Sequence, residues 1–167
     1  MICTFEENNC MLSHLDAHGN PTMVNVSSKE LSFRTATAAA KVIFTEPIFA
    51  VLNGHQFHTS KGSVIAAAII AGTMAAKQTA AIIPFCHSIP LESCKLEMIV
   101  LPDEHALRIE AAVSTHGKTG VEMEALVAVS AAALCVYDMC KALSHEIIIS
   151  EIRLLSKTGG KSDFHHE

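Results

Sequence analysis

The chain has 167 residues, half of them hydrophobic and only 17% charged, which is the size of one domain and excludes a disordered or low-complexity protein. With 12 Lys and Arg against 17 Asp and Glu, the formal net charge is -5, so nucleic acid is repelled overall and an anionic ligand must be held by local groups of cations. No basic segment followed by an apolar run opens the sequence, no apolar run reaches the ~18 residues of a membrane span, and the six cysteines form no C-x-x-C pair. The expectation is a cytoplasmic protein with reduced thiols, no nucleic-acid partner and no membrane contact.

Residues 1–20 are polar and aperiodic and read as a flexible N-terminal tail, leaving a single domain over 21–167. From Met23 to Glu46 the pattern is extended and β-branched, and Phe33 to Phe44 alternates well enough to predict a strand. Pro47, at a first-turn position, opens a short helix over Ile48–Leu52 that Asn53-Gly54 closes. Ser63 to Ile83, stopped by Pro84, is apolar on every face, which predicts a helix buried on all sides, with Ala66, Ala67, Ala68, Ala71 and Gly72 small enough for another backbone to approach. Lys95–Leu101 and Leu107–Val113 alternate and are joined by Pro102-Asp103-Glu104-His105, the chemistry of a hairpin turn. A second apolar helix is expected over Gly120–Ala142 and a last strand over Ile147–Leu155.

Strand, helix, strand, strand, helix, strand is the order of an α+β fold of the ferredoxin-like split βαβ kind, an antiparallel sheet carrying two long helices on one face. Two layers leave the outer side of such helices wet. Helices apolar all round therefore predict further cover by other copies, a homo-oligomer.

Glycine and lysine travel together in Lys61-Gly62, Gly117-Lys118, Gly120, Lys157 and Gly159-Gly160-Lys161. Glycine lets backbone N–H groups form a concave nest and lysine adds charge, so these loops suit phosphates; the competing reading is ordinary solvated turns. None is a Walker A loop. Thr119 followed by Glu122 has the spacing of a capping box, whereas Glu124 either answers the helix dipole or serves a site. Asp138 and Lys141 stand one turn apart among Ala, Leu, Cys, Val and Met. A surface ion pair explains that spacing, but an apolar helix offers it little surface, so a partly buried acid-base pair is favoured. In Pro84-Phe85-Cys86-His87 the two polar residues are adjacent and should point apart, making Cys86 a packing residue and His87 a ligand contact. His55, His58 and His87 do not cluster as metal ligands do, so no metal site is expected.

The strings KGSV, PFCHSIPL, GKTGVEMEAL, VYDMCKA and RLLSKTGGKS converge on one family, and from about Met23 to Phe164 the chain resembles the cyclic pyranopterin monophosphate synthases, the molybdenum cofactor biosynthesis protein C family. The resemblance implies a phosphorus-oxygen lyase that rearranges the cyclised dihydro-GTP made by a radical S-adenosylmethionine enzyme into cyclic pyranopterin monophosphate and releases pyrophosphate. It implies no cofactor other than Mg²⁺ accompanying the triphosphate. Carried over residue by residue, it makes Asp138 and Lys141 the catalytic pair, Phe85, Cys86, His87, Met123 and Glu124 substrate contacts, Lys61 and Lys157 pocket cations, and Glu122 a pocket carboxylate. It implies a ferredoxin-like subunit in a hexamer of three dimers, with sites between subunits. Asn25 stands where the family usually carries Asp, Ser88 replaces a usual Pro, and Ser162-Asp163 lacks a glycine often found before the Asp. A non-catalytic ferredoxin-like module binding a nucleotide at its subunit interface is the alternative, and a purely structural oligomer a third.

Overall fold

A computed structural model of the chain describes residues 18–166, so all but the last three positions of the expected tail lie outside the described residues. The elements are β1 (Ser32–Ile43), α1 (Glu46–Gly54), β2 (His58–Thr59), β3 (Gly62–Ser63), α2 (Val64–Lys77), α3 (Thr79–Ile82), β4 (Ser93–Leu101), β5 (Ala106–Gly117), α4 (Glu122–Cys140), β6 (Ile148–Thr158) and β7 (Phe164–His165). A five-stranded sheet in the order β4-β5-β1-β6-β7 is antiparallel throughout. The β2-β3 and β7 pairings, too short for any periodicity, escaped sequence reading.

β1 lies in the middle, paired with β5 without interruption from Ser32 opposite Gly117 to Ile43 opposite Ala106. Its central place explains why Ala38, Ala39 and Ala40 are all buried, where alternation alone predicts that one face stays open. Against β6 the register shifts around Ala38 to Lys41, next to Glu151, whose φ of 52° marks the irregularity. The turn between β4 and β5 forms as expected, as one 3₁₀ turn over Pro102–Glu104 ended by left-handed His105.

Both long helices pack on one face of the sheet. Ser63 caps α2, its Oγ accepting from the Ala66 N–H at 3.2 Å. The expected single helix to Ile83 is instead broken at Gln78: buried Thr79 donates its hydroxyl to the Ala76 carbonyl at 3.0 Å, occupying a carbonyl at the end of α2, and α3 is a separate turn. Where α2 crosses α4, a Cβ on Gly72 would collide with Leu96 Cδ2 and stand 2.8 Å from the Ala128 carbonyl oxygen, so only glycine fits.

Neither helix is buried on every side within this chain. α4 buries Ala125, Ala128, Val129, Ala132, Ala133, Val136 and Cys140, but leaves Leu134 exposed, and α2 leaves Ile70 and Met74 exposed. α4 has 19 residues and a mean hydropathy of 1.6, the length and composition of a membrane span, with half of that stretch buried in the protein. Its contacts with α2 and the sheet make it the core helix.

At the far end of the helical layer, Gln56 and Phe57 are both left-handed, with φ of 52° and 55°. Phe57 plugs the core against Phe44 and Phe49, ring centroids 6.3 and 6.2 Å away, and the chain leaves that plug as the β2-β3 hairpin carrying Lys61.

Candidate functional site: a double cavity and a separate charge cluster

The candidate residues gather at the two ends of α4. At its N-terminal end two cavities of about 610 and 520 Å³ adjoin, sharing Lys29, Thr119, Gly120, Glu122 and Lys161 in their walls. The first is cationic: Lys29, Arg34, Lys118, Lys157 and Lys161 line it, opposed by Glu30 and Glu122. The second is more apolar, lined by Val24, Val26, Phe85, Ile89 and Met123, with Cys86, His87 and Glu124 added to the polar residues it shares with the first. Seven residues predicted from sequence thus come together here: Phe85, Cys86, His87, Glu122, Met123, Glu124 and Lys157.

Local structure explains the cationic cavity. β1 brings Arg34, whose Nε donates to the Gly117 carbonyl at 3.5 Å; β6 brings Lys157 and ends in the turn at Gly159. Gly159 has φ of 82°, and a Cβ there would overlap the Phe33 carbonyl oxygen, so the loop can cross β1 only with glycine. Ser32 Oγ donates to the Gly159 carbonyl at 3.0 Å and Asp163 Oδ1 accepts from the Gly159 N–H at 3.1 Å, fixing the loop despite the absent glycine before Asp163. Lys118 Nζ donates to the Ser27 carbonyl at 2.7 Å, and His87 Nε2 lies 2.8 Å from the Val24 carbonyl oxygen; together they hold residues 24–29 across the cavities. Asn25 takes the part an aspartate would, its Oδ1 accepting from the Ser27 N–H at 2.9 Å.

The capping box expected of Thr119 and Glu122 does not form. α4 begins at Glu122, its N-cap is Val121, and no side chain caps it. The Glu122 carboxylate folds back over Gly120 and meets Lys157, Oε1 to Nζ 3.3 Å. Glu124, two residues further along α4, is 3% exposed. Burial raises its pKa above the ordinary carboxylate value, a hydrogen bond from its own backbone N–H opposes this, and the Glu122 charge adds to the rise. Cys86 lines the same cavity as His87 instead of pointing away, because the segment after Pro84 is irregular and not a strand. Burial, and then the neighbouring Glu124, push its thiol pKa up, so Cys86 is a poor nucleophile.

At the C-terminal end of α4, Lys141 Nζ approaches Asp138 Oδ1 at 2.7 Å, and Lys61 Nζ donates to Asp138 Oδ2 at 3.2 Å and to the Asp138 carbonyl at 3.0 Å. The sequence predicts a partly buried setting for Asp138 and Lys141; in the chain they are about half exposed, because they fall with Leu134 on the outward stripe of α4, while Val136 and Cys140 beside them are buried. The Lys141 hydrogen bond, and then that of Lys61, hold the Asp138 carboxyl below the usual range, and Asp138 in turn raises Lys141. Mutual pairing, not burial, sets these shifts.

None of Lys61, Asp138 and Lys141 lines either cavity. Glu122 and Asp138 are sixteen residues apart in one helix, about 24 Å at 1.5 Å per residue. Lys61 and Lys157, expected in one pocket, therefore sit at opposite ends of α4. Sequence reasoning missed Lys29 and Arg34: Arg34 was hidden in the strand pattern of β1, and Lys29 belongs to no glycine loop. Among the described residues, no three His, Cys, Asp or Glu side chains are grouped as a metal site would need.

Comparison with known proteins shows the family of the chain. The MoaC family matches residues 23–160. A cyclic pyranopterin monophosphate synthase of Xanthomonas campestris pv. campestris (strain B100) is 49% identical over 152 residues, covering 91% of this chain and 92% of that protein. A protein of the same name from Nostoc sp. is 48% identical over 163 residues, covering 97% and 95%. The molybdenum cofactor biosynthesis protein 1 of Drosophila melanogaster is 49% identical over 160 residues, and the chain spans only 28% of its length. The chain belongs to the MoaC family.

Proposed function

We propose that the protein is a cyclic pyranopterin monophosphate synthase of molybdenum cofactor biosynthesis, converting 3',8-cyclo-7,8-dihydroguanosine triphosphate to cyclic pyranopterin monophosphate with release of pyrophosphate. The observation that carries this reading is the double cavity. Its cationic half, with Lys29, Arg34, Lys118, Lys157 and Lys161, matches a triphosphate; its apolar half, with Phe85, Met123 and the buried Glu124 carboxyl, matches a flat heterocycle offering N–H groups. Cations stabilise the charge that develops as a hydroxyl oxygen of the same molecule bonds to the α-phosphorus, giving up its proton, while the bond from that phosphorus to the departing pyrophosphate breaks. Mg²⁺ would enter with the triphosphate, and the reading requires no resident cofactor.

Ring opening and closure need proton transfers, which this reading assigns to the Asp138 and Lys141 pair, with Lys61 beside them. At about 24 Å along α4 they cannot reach a small molecule in the cavities of their own chain. They can serve the cavity of a neighbouring copy, and the exposed Ile70, Met74 and Leu134 give that copy an apolar surface to cover. This favours a homo-oligomer, read here as a hexamer of three dimers, with each site shared between subunits. The order of the four long strands, second-third-first-fourth, supports a ferredoxin-like subunit forming one catalytic domain over 21–167. A cytoplasmic location and a functional link to a radical S-adenosylmethionine enzyme belong to the same reading.

The test is pyrophosphate release from the cyclised nucleotide by the purified protein, run with and without Mg²⁺ and accompanied by light scattering. Turnover by an assembly larger than the 17.9 kDa chain is the expected result. Binding without turnover would instead favour the regulatory module, for which the exposed state of Asp138 and Lys141 is the supporting observation.

A further inference from the structure

Gly120 stands in the wall common to both cavities, and its backbone does not require glycine. Its φ is not in the left-handed region, unlike that of Gly159 a short distance away. What excludes a larger residue is a single neighbour. A Cβ at position 120 would overlap Glu122 Oε2 and stand 2.6 Å from Glu122 Cδ and 2.8 Å from Oε1; its three nearest heavy-atom neighbours all belong to that carboxylate. The carboxylate thus occupies the volume that any side chain at 120 would fill, and from there Oε1 reaches Lys157 Nζ at 3.3 Å.

We infer that Gly120 is a positioning residue for the proposed reaction: its missing Cβ makes the seat in which the Glu122 carboxylate is held over the cavity wall to orient Lys157. This rests on the synthase reading given above. The consequence is unusual for a glycine substitution. The group displaced by Gly120→Ala is the far end of a flexible side chain, so the chain keeps its fold while the carboxylate is moved off its seat. Removing an anion from a cavity that takes a polyphosphate eases binding, whereas loss of the fixed lysine impairs the step that expels pyrophosphate. The variant should therefore lose kcat and keep or lower KM. A loop merely loosened by the change would raise KM.

Two measurements decide this. The crystal structure of Gly120→Ala is expected to show the Glu122 carboxylate out of contact with Lys157 in an otherwise unchanged fold. In turnover, Gly120→Ala and Glu122→Ala should each lower kcat at least ~10-fold, and the double variant should be no slower than Glu122→Ala alone, because the clash vanishes with the carboxylate. A carboxylate still paired with Lys157, an unchanged kcat in Gly120→Ala, or losses that multiply in the double variant would each overturn the inference. If the wild-type protein does not turn over the cyclised nucleotide, it is the synthase reading that falls, and the crystal structure still decides whether Gly120 seats the carboxylate.

Discussion

The two ends of α4 are built on opposite plans. At the N-terminal end, loops from β1, β5 and β6 and the segment after α3 enclose two adjoining cavities, with Glu124 buried and Glu122 folded onto Lys157. At the C-terminal end, Lys61, Asp138 and Lys141 form a triad that projects into solvent. Binding groups are held in shape before a ligand arrives, while the proposed proton-transfer groups sit where water screens them. A carboxylate and two ammonium groups in water are ordinary ions. They become useful acids and bases only when a neighbouring copy or the substrate removes that water. On the proposed reading each end is half of a site, and it is the surface around the triad, not the cavity, that a neighbouring copy would change.

The largest expected effect tests whether the exposed end belongs to the chemistry at all. Lys141→Ala and Asp138→Asn should each lower turnover by at least ~100-fold with the oligomer and its melting temperature intact. Turnover near the wild-type level in both would reduce the triad to a surface ion network.

Hybrid oligomers test whether the two ends serve one site from different chains. Lys141→Ala and Lys157→Ala chains, unfolded together and refolded at equal ratio, should regain about a quarter of wild-type turnover, the share of sites that draw an intact triad from one chain and an intact cavity from another. Lys141→Ala mixed with Lys61→Ala should regain none, since those two lysines hold the same Asp138 within one chain. Recovery in the second mixture and not in the first would place the division between half-sites elsewhere.

The relation between the two ends depends on the helix contact midway. Gly72→Ala puts a methyl group against Leu96 and the Ala128 carbonyl, and overpacking of this kind destabilises by ~1–3 kcal/mol, to be read from denaturant unfolding. No loss of stability would mean that α2 and α4 can separate freely.

The smallest effect concerns Glu124. Because its pKa is raised in the folded chain, the stability linked to its proton is fully present below the ordinary Glu value of 4.5 and is lost as pH rises through the raised value. Glu124→Gln carries no such linkage, so its melting temperature should gain on that of the wild type as pH rises above the ordinary Glu value of 4.5. A constant difference above that value would show that Glu124 ionises at its ordinary value and that its end of α4 is wetter than its burial indicates.

Periodicity and turn chemistry were enough to place every long element, since a strand of nine residues or a helix of fourteen repeats its apolar positions several times. β2, β3 and β7, with two residues each, repeat nothing. The break at Gln78 escaped because it depends on the Thr79 hydroxyl reaching a helix carbonyl, and threonine has no single preferred partner in sequence. At the site, glycine next to lysine pointed to the loops around 117–120 and 157–161, and the strings that resemble the family pointed to Phe85, Cys86, His87, Met123 and Glu124. Arg34 was not legible, because a cation on a central strand reads as an ordinary outward-facing residue until the fold shows what that face adjoins.

What the amino-acid order determined by itself was local: the elements, the loops able to cradle phosphate, and the pairing of Asp138 with Lys141 one helical turn away. Tertiary structure alone decided distance and solvent. It seated the Glu122 carboxylate on Gly120 and not at a helix cap, buried Glu124, left Asp138 and Lys141 exposed, and put Lys61 and Lys157 at opposite ends of a 19-residue helix. The reason is physical. Neighbours in sequence constrain backbone dihedrals and side-chain spacing over a turn or two, whereas burial and the meeting of distant charges depend on which elements the core brings into contact.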